Sequence, residues 1–320
     1  VDRYLIAGAE GQLGQYLVGA LQKSESPKHI ICLTRSGCIP NSPVVDTNHP
    51  NTLLYKIDEV DDVLKQFSPT IFINCAAQSS VAESIKNPDD CIIVNYNIVA
   101  NQLAGIRKYS PLTKYYNCGS IDELGATISP YAFSKKETRR LIEFYRQKYN
   151  IWATQSYLCN FESILRPESF VSRKITKGLS RIFAGLDTEP ITLGNIMGGR
   201  FWLDVSDVVE SILQTIKMEY TVGGMIDYVV SPEEKYSVNC FFEEAVKCFG
   251  KVGLWDDGSY MVDGQVVAKI DMDLFRPAQS YSLSSTYNYL INSGFWKPQI
   301  SFQQLVKTMV EYDRNHLAEG

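Results

Sequence analysis

The sequence predicts an α/β fold built on a doubly wound parallel sheet, and three observations predict it. Short apolar runs alternate with amphipathic stretches through the first half of the chain. Each run is short and apolar in character, as expected of parallel strands covered by helices on both faces. The first of them enters an amphipathic helix through the glycine-spaced segment Gly8-Ala9-Glu10-Gly11-Gln12-Leu13-Gly14.

The expected strands, in order, are Arg3–Ala7, His29–Leu33, Thr70–Cys75, Lys114–Cys118 and Ala153–Leu158. Between them Gln12–Gln22, Val60–Phe67, Cys91–Tyr109 and Tyr131–Tyr149 read as helices. Strands separated by helices imply βαβ units with right-handed crossovers. After Leu158 the alternation loosens. Phe170–Phe183 reads as a basic helix and Val205–Met218 as a second one with an acidic start. Ser237–Phe249 is a third, with Ser237 as N-cap and Gly250 as its C′ residue. Ser301–His316 opens with a capping box formed by Ser301 and Gln304. Residues 1–158 are therefore expected to form a nucleotide-binding domain. Residues 159–320 form a smaller substrate lobe over the carboxyl edge of the sheet, with some segments returning to that sheet.

With 320 residues and 45% hydrophobic content, the chain can bury a substantial core. A net charge of -5 argues against a nucleic-acid partner, which would leave a basic footprint. No apolar run approaches the roughly 18 residues of a membrane span, so no membrane association is expected. The eight cysteines contain no CxxC pair. Cys32, Cys75, Cys118 and Cys159 lie in or beside apolar strands, a reduced and cytoplasmic pattern. The three histidines are isolated, which supports neither a metal site nor a His-based triad.

The glycine segment carries the first chemical inference. Gly8 permits a tight turn, Gly11 lets backbone approach a pyrophosphate, and Gly14 lets helix and strand pack closely. The helix that follows aims free N–H groups and a partial positive charge at the phosphates. Arg35 and Ser36 follow the second strand, where an acidic residue would bind an adenosine ribose diol. Arg35 instead offers a fork for a 2′-phosphate, so the expected cofactor is NADP.

Tyr131 and Lys135 stand at i and i+4 and share one helix face. A lysine ammonium so placed stabilises tyrosinate, and a tyrosine tuned that way exchanges a proton with a sugar hydroxyl. The strand before them ends in Asn117-Cys118-Gly119-Ser120-Ile121-Asp122-Glu123, and strand carboxyl ends are where ligands bind in such sheets. Ser120 can share the hydroxyl that Tyr131 serves, and Asp122 can act as acid and base further round the sugar. Glu123 is the adjacent competitor, expected to point to the other side.

Together these residues resemble the GDP-mannose 4,6-dehydratases, extended short-chain dehydrogenase/reductases, over essentially the whole chain. The glycine turn with Gln12, the segment Asn74-Cys75-Ala76-Ala77-Gln78-Ser79, and Trp296-Lys297-Pro298 all resemble that family's pattern. More specific are Asn160-Phe161-Glu162-Ser163 and Glu168-Ser169-Phe170-Val171-Ser172-Arg173-Lys174-Ile175-Thr176. Leu193-Gly194-Asn195, Arg200 and Phe275-Arg276-Pro277-Ala278 continue the likeness. The resemblance implies that Gly8, Gly11, Gln12, Leu13, Gly14, Arg35, Ser36, Ala76, Ala77, Gln78, Tyr131 and Lys135 hold NADP. It implies a nucleoside-diphosphate sugar, GDP-linked by preference, on Ser79, Asn160, Val171, Lys174, Leu193, Gly194, Asn195, Arg200, Arg276 and Gln279. It also implies a lyase reaction by internal hydride transfer, with Ser120, Asp122, Tyr131 and Lys135 as the catalytic set, in a homodimer or homotetramer.

The chain departs from the family at several points. Ser120 and Asp122 stand for its Thr and Glu, and the stretch between Gly125 and Tyr131 is shorter. Gln279 replaces an acid, Leu53 falls where an aspartate meets adenine, and Ser80 and Phe161 replace histidines. Two other readings use the same scaffold: an NADP-dependent 4-keto sugar reductase or epimerase, and a non-catalytic nucleotide-binding homologue.

Overall fold

The computed structural model describes residues 2–26, 28–125, 129–218, 227–275 and 295–317. It divides into two compact units, one built from Val1–Leu158 and Val208–Val230, the other from Cys159–Asp207 and the stretches beginning at Ser231 and Lys297.

The first unit holds a parallel sheet of seven strands. β1 (Arg3–Ala7), β2 (His29–Thr34), β3 (Thr52–Lys56), β4 (Ile71–Asn74), β5 (Lys114–Cys118), β6 (Ala153–Leu158) and β11 (Val229–Val230) lie in the order β11-β6-β5-β4-β1-β2-β3. Strand order reverses between β1 and β4, so their carboxyl ends open the crevice in which such sheets bind ligands. Strand residues alternate between the two faces. On one face Leu5, Ile31, Leu33, Phe72, Tyr115 and Ala153 form a core with α2 (Val60–Phe67), α4 (Pro88–Tyr109) and α5 (Pro130–Tyr149). α1 (Gln12–Gln22) buries Leu13, Leu17, Val18 and Leu21.

Local chemistry explains the helix ends. α4 starts at Pro88 with Asp89 and Asp90 in its first turn, and ends with Arg107 and Lys108, matching its dipole at both ends. Ser129 caps α5 by accepting from the Ala132 N–H at 3.1 Å, and Asn150 ends it in the left-handed region at φ 53°. A short helix, α3 (Val81–Lys86), begins at Ser80, whose Oγ accepts from the Glu83 N–H.

The second unit is built on β7 (Asn160–Glu162), β8 (Ile191–Leu193), β9 (Gly199–Arg200), β10 (Trp202–Asp204), β12 (Tyr236–Ser237), β13 (Gly253–Asp256), β14 (Ser259–Val262) and β15 (Gln265–Ile270). The last three form a meander with β8 in the order β13-β14-β15-β8. Its core joins Trp202, Tyr260 and Val267 to α6 (Val171–Phe183), α8 (Val238–Lys247) and the helix Phe302–Asn315. α7 (Val205–Thr215) stops before Met218, shorter than its sequence pattern. Ser237 caps α8 as expected, but Cys248 is its C-cap, which puts Gly250 one place beyond C′. The expected capping box at Ser301 is only half made. Ser301 Oγ accepts from the Gln304 N–H, while the Gln304 amide donates to Thr308. No described helix is long and apolar enough to cross a membrane.

Candidate active site

Two loops meet at the point where strand order reverses. Gly8 adopts φ 73°, and a Cβ there would lie 2.6 Å from the Ala76 nitrogen in the loop after β4. A Cβ on Gly14 would lie 2.2 Å from the Gly8 carbonyl oxygen. Both positions therefore exclude any side chain. Gly11 is less crowded, its imagined Cβ 3.3 Å from the Gly8 oxygen, and it leads into α1 with no side-chain cap. The backbone of this turn is thus open where a pyrophosphate would approach. Leu13 is buried, so it serves the turn as a packing residue.

Arg35 and Ser36 follow β2 and are both exposed. Arg35 pairs with a residue of the glycine turn that the sequence did not single out. Glu10 Oε1 accepts from the Arg35 backbone N–H at 3.0 Å and lies 3.6 Å from Arg35 Nε. Glu10 Oε2 is buried and has no hydrogen-bond partner among the described residues.

Behind the loop of Ala76, Ala77 and Gln78 runs a buried ladder of amides. Asn74, Asn117 and Gln155 are register partners on β4, β5 and β6. Asn74 Nδ2 donates to Asn117 Oδ1 at 2.7 Å, and Asn117 Nδ2 to Gln155 Oε1 at 2.6 Å. Gln155 Nε2 then donates to the Lys135 carbonyl at 2.7 Å and to Glu123 Oε1 at 3.0 Å. Asn95 on α4 likewise joins loop to helix, since it accepts from the Gln78 N–H at 2.7 Å and donates to Ser134 Oγ at 2.9 Å. Each buried amide left without its partner would cost about 1–3 kcal/mol, so the ladder fixes loop and helix together. Ser79 is exposed just beyond.

Tyr131 and Lys135 lie on the first turns of α5, buried to 9% and 5% exposure. Lys135 Nζ stands 5.9 Å from the Tyr131 ring centre and donates to the Cys118 carbonyl at 2.6 Å. Burial is the largest influence on Lys135 and pulls its ammonium below the ordinary lysine range, against Cys118 and Glu123. Ser120 caps a short 3-10 turn, Ile121–Leu124, its Oγ accepting from the Asp122 N–H at 3.2 Å. That leaves the Ser120 hydroxyl proton able to donate.

The adjacent carboxylates separate cleanly. Glu123 is buried and meets Arg139, with Nε to Oε2 at 2.8 Å, while its Oε1 accepts from the Ser120 N–H at 2.9 Å. Burial pushes the Glu123 carboxyl above its ordinary range, offset in part by Arg139. Arg139 also reaches Asp227 at 3.4 Å and covers the Tyr157 ring at 3.6 Å. Glu123 is a structural ion-pair member, whereas its neighbour Asp122 is half-buried.

In the second unit, Asn160 opens β7, and Val171 and Lys174 lie on the first turn of α6, all half-buried. Lys174 Nζ donates to the Thr192 carbonyl at 2.6 Å. Asn195 Oδ1 accepts from the Met197 N–H at 3.0 Å, and Arg200 is exposed with its guanidinium 5.8 Å from the Trp202 ring centre. The Leu193 side chain is core, and its carbonyl accepts from the Asp271 N–H at 2.7 Å. Gly194 is pressed against the Leu274 carbonyl, where a Cβ would come within 2.2 Å. Arg276 and Gln279 lie outside the described residues.

A doubly wound sheet with this glycine turn, and a tyrosine–lysine pair beside the end of β5, defines a dinucleotide-binding domain of the short-chain dehydrogenase/reductase type. The family model for GDP-mannose 4,6 dehydratase matches residues 5–309, and the chain belongs to that family. It is 32% identical to GDP-mannose 4,6 dehydratase 2 of Arabidopsis thaliana, covering 97% of this chain and 86% of that protein. It is 28% identical to the GDP-mannose 4,6-dehydratase of Vibrio cholerae over 97% and 93%. Solved structures share the fold at lower identity. RMD from Pseudomonas aeruginosa, complexed with NADPH, superposes with a TM-score of 0.75 at 19% identity over 98% of this chain and 99% of that one. The dTDP-glucose 4,6-dehydratase of Bacillus anthracis, in complex with NAD, does so at 0.76 and 16% identity over 99% and 98%.

Proposed function

We propose that the chain is a nucleotide-sugar 4,6-dehydratase acting on a GDP-linked hexose and producing its 4-keto-6-deoxy form. One observation carries this: family membership spans residues 5–309 and so covers both the glycine turn and the Tyr131–Lys135 pair. The described residues fit a dinucleotide, because the turn excludes side chains at Gly8 and Gly14 and is open at Gly11. The chemistry that a nicotinamide ring supplies when bound is reversible two-electron storage, which leaves the dehydration redox-neutral. Gly8, Gly11, Gln12, Gly14, Ala76, Ala77, Gln78, Tyr131 and Lys135 would hold it. Arg35 and Ser36 favour NADP over NAD, since a guanidinium fork matches a 2′-phosphate.

Tyr131 takes the proton of the sugar 4-hydroxyl while Ser120 donates to the same oxygen. Lys135 supports the tyrosinate from its tether on Cys118. A ketone at C4 acidifies the C5 hydrogen. Asp122 removes that proton and returns one to the departing 6-hydroxyl, which leaves as water. Asn160, Val171, Lys174, Asn195 and Arg200, with Arg276 and Gln279, are assigned to the nucleoside diphosphate on the family likeness. Self-association as a homodimer or homotetramer is supported by apolar side chains left exposed on α4 and α5.

The test is incubation of the purified chain with GDP-mannose, UDP-glucose and dTDP-glucose, followed by mass spectrometry. Loss of one water from GDP-mannose alone is the expected result. Consumption of a 4-keto-6-deoxy GDP-sugar with oxidation of NADPH, and no water loss from GDP-mannose, would instead make the chain a reductase.

A further inference from the structure

The Arg35 fork does not stand alone. Glu10 projects from the glycine turn to the end of β2, where the fold places the adenosine ribose of a bound dinucleotide. Its Oε1 is engaged by Arg35 through the backbone N–H and, more loosely, the guanidinium. Its Oε2 is buried and, among the described residues, has no hydrogen-bond partner, while the side chain as a whole keeps 20% exposure. Next to Arg35, Thr34 is buried at 1% exposure, and its Oγ1 also lacks a partner. A carboxylate short of donors is costly, and the exposed part of this one is open to a donor brought by a ligand. A free ribose 2′-hydroxyl is such a donor. A 2′-phosphate is largely dianionic at neutral pH and is repelled by the carboxylate.

We infer that Glu10 is a cofactor-selecting residue that opposes Arg35: it accepts from the 2′-hydroxyl of NAD and repels the 2′-phosphate of NADP. Arg35 then contributes part of its charge to Glu10 rather than to the ligand. Preference between the two dinucleotides is set by the balance of these two side chains, and the chain binds both.

This inference rests on the proposed dinucleotide site, and the experiment separates the two. NADH and NADPH are titrated separately into the purified chain, with nicotinamide fluorescence reporting Kd, for the parent, Glu10→Gln, Glu10→Ser and Arg35→Ala. Removing one like charge near the phosphate is worth about 10-fold in affinity. Both Glu10 variants should tighten NADPH by about that factor and weaken NADH, while Arg35→Ala weakens NADPH selectively. If Arg35→Ala has its effect and neither Glu10 variant shifts the NADPH-to-NADH ratio, Glu10 is not the selector while the site stands. If the parent binds neither dinucleotide, or Arg35→Ala leaves NADPH untouched, the cofactor assignment fails first and the inference falls with it.

Discussion

Lys135 Nζ donates to the carbonyl oxygen of Cys118 at 2.6 Å, which ties the helix carrying Tyr131 to the strand end leading into Ser120 and Asp122. The bond also keeps a buried cation from standing without an acceptor.

On the proposed mechanism, Tyr131→Phe removes the hydroxyl that carries the proton. Turnover should fall at least ~10²-fold with affinity for the nucleotide sugar nearly unchanged. Steady-state kinetics beside a calorimetric titration checks this, and near-normal turnover would contradict the role.

Asp122→Asn and Glu123→Gln should part company. Asp122→Asn stops water elimination yet permits the first redox step, so nicotinamide absorbance of the bound reduced cofactor builds up with substrate. Glu123→Gln breaks the buried pair with Arg139 and should lower stability by about 3–5 kcal/mol, read by urea unfolding, while the residual folded enzyme still eliminates water. The reverse pattern would move the base to Glu123.

Lys135 makes stability depend on pH. Its folded pKa is held below the ordinary lysine value of 10.5 by burial, so between the two values the unfolded chain binds more protons. Stability should therefore rise with pH through that window, and Lys135→Met should lack this rise. The difference in unfolding free energy between parent and variant is compared at about pH 7 and about pH 10, a window set by the ordinary lysine value. It should move in the parent's favour, and a flat difference would contradict the burial of a charged ammonium.

Ile93 at 56% and Phe144 at 50% exposure, with Val94 and Phe133, leave apolar surface on α4 and α5. The double variant Ile93→Lys with Phe144→Lys should shift sedimentation from an oligomer toward a monomer without unfolding the chain. An unchanged oligomer would place the interface elsewhere.

The central sheet was legible because β1, β2 and β4 are largely buried and written mostly as apolar runs, while β5 and β6 are buried but carry the polar Asn117, Thr154, Gln155 and Ser156. β3 escaped notice because it is an edge strand whose residues are half-buried or exposed. The meander of the second unit was signalled by Asp257-Gly258 and Asp263-Gly264, both pairs at positive φ, the chemistry of two-residue hairpin turns. The proposed set of Ser120, Asp122, Tyr131 and Lys135 was read from local spacing along one helix and one strand end. What spacing cannot show is partnership across the fold. Glu123 is known as structural only once Arg139 lies beside it, and Asn74, Asn117 and Gln155 become a ladder only once three strands align. Glu10 likewise looks like an ordinary turn residue until β2 brings Arg35 to it.

The proposed reaction moves hydrogen internally, from one carbon of a sugar to another carbon of the same sugar. GDP-mannose carrying deuterium at C4 should be converted by the purified enzyme, with only catalytic cofactor present, into a dehydrated product whose deuterium is at C6. Deuterium kept at C4, or lost to an added pool of cofactor, would contradict it.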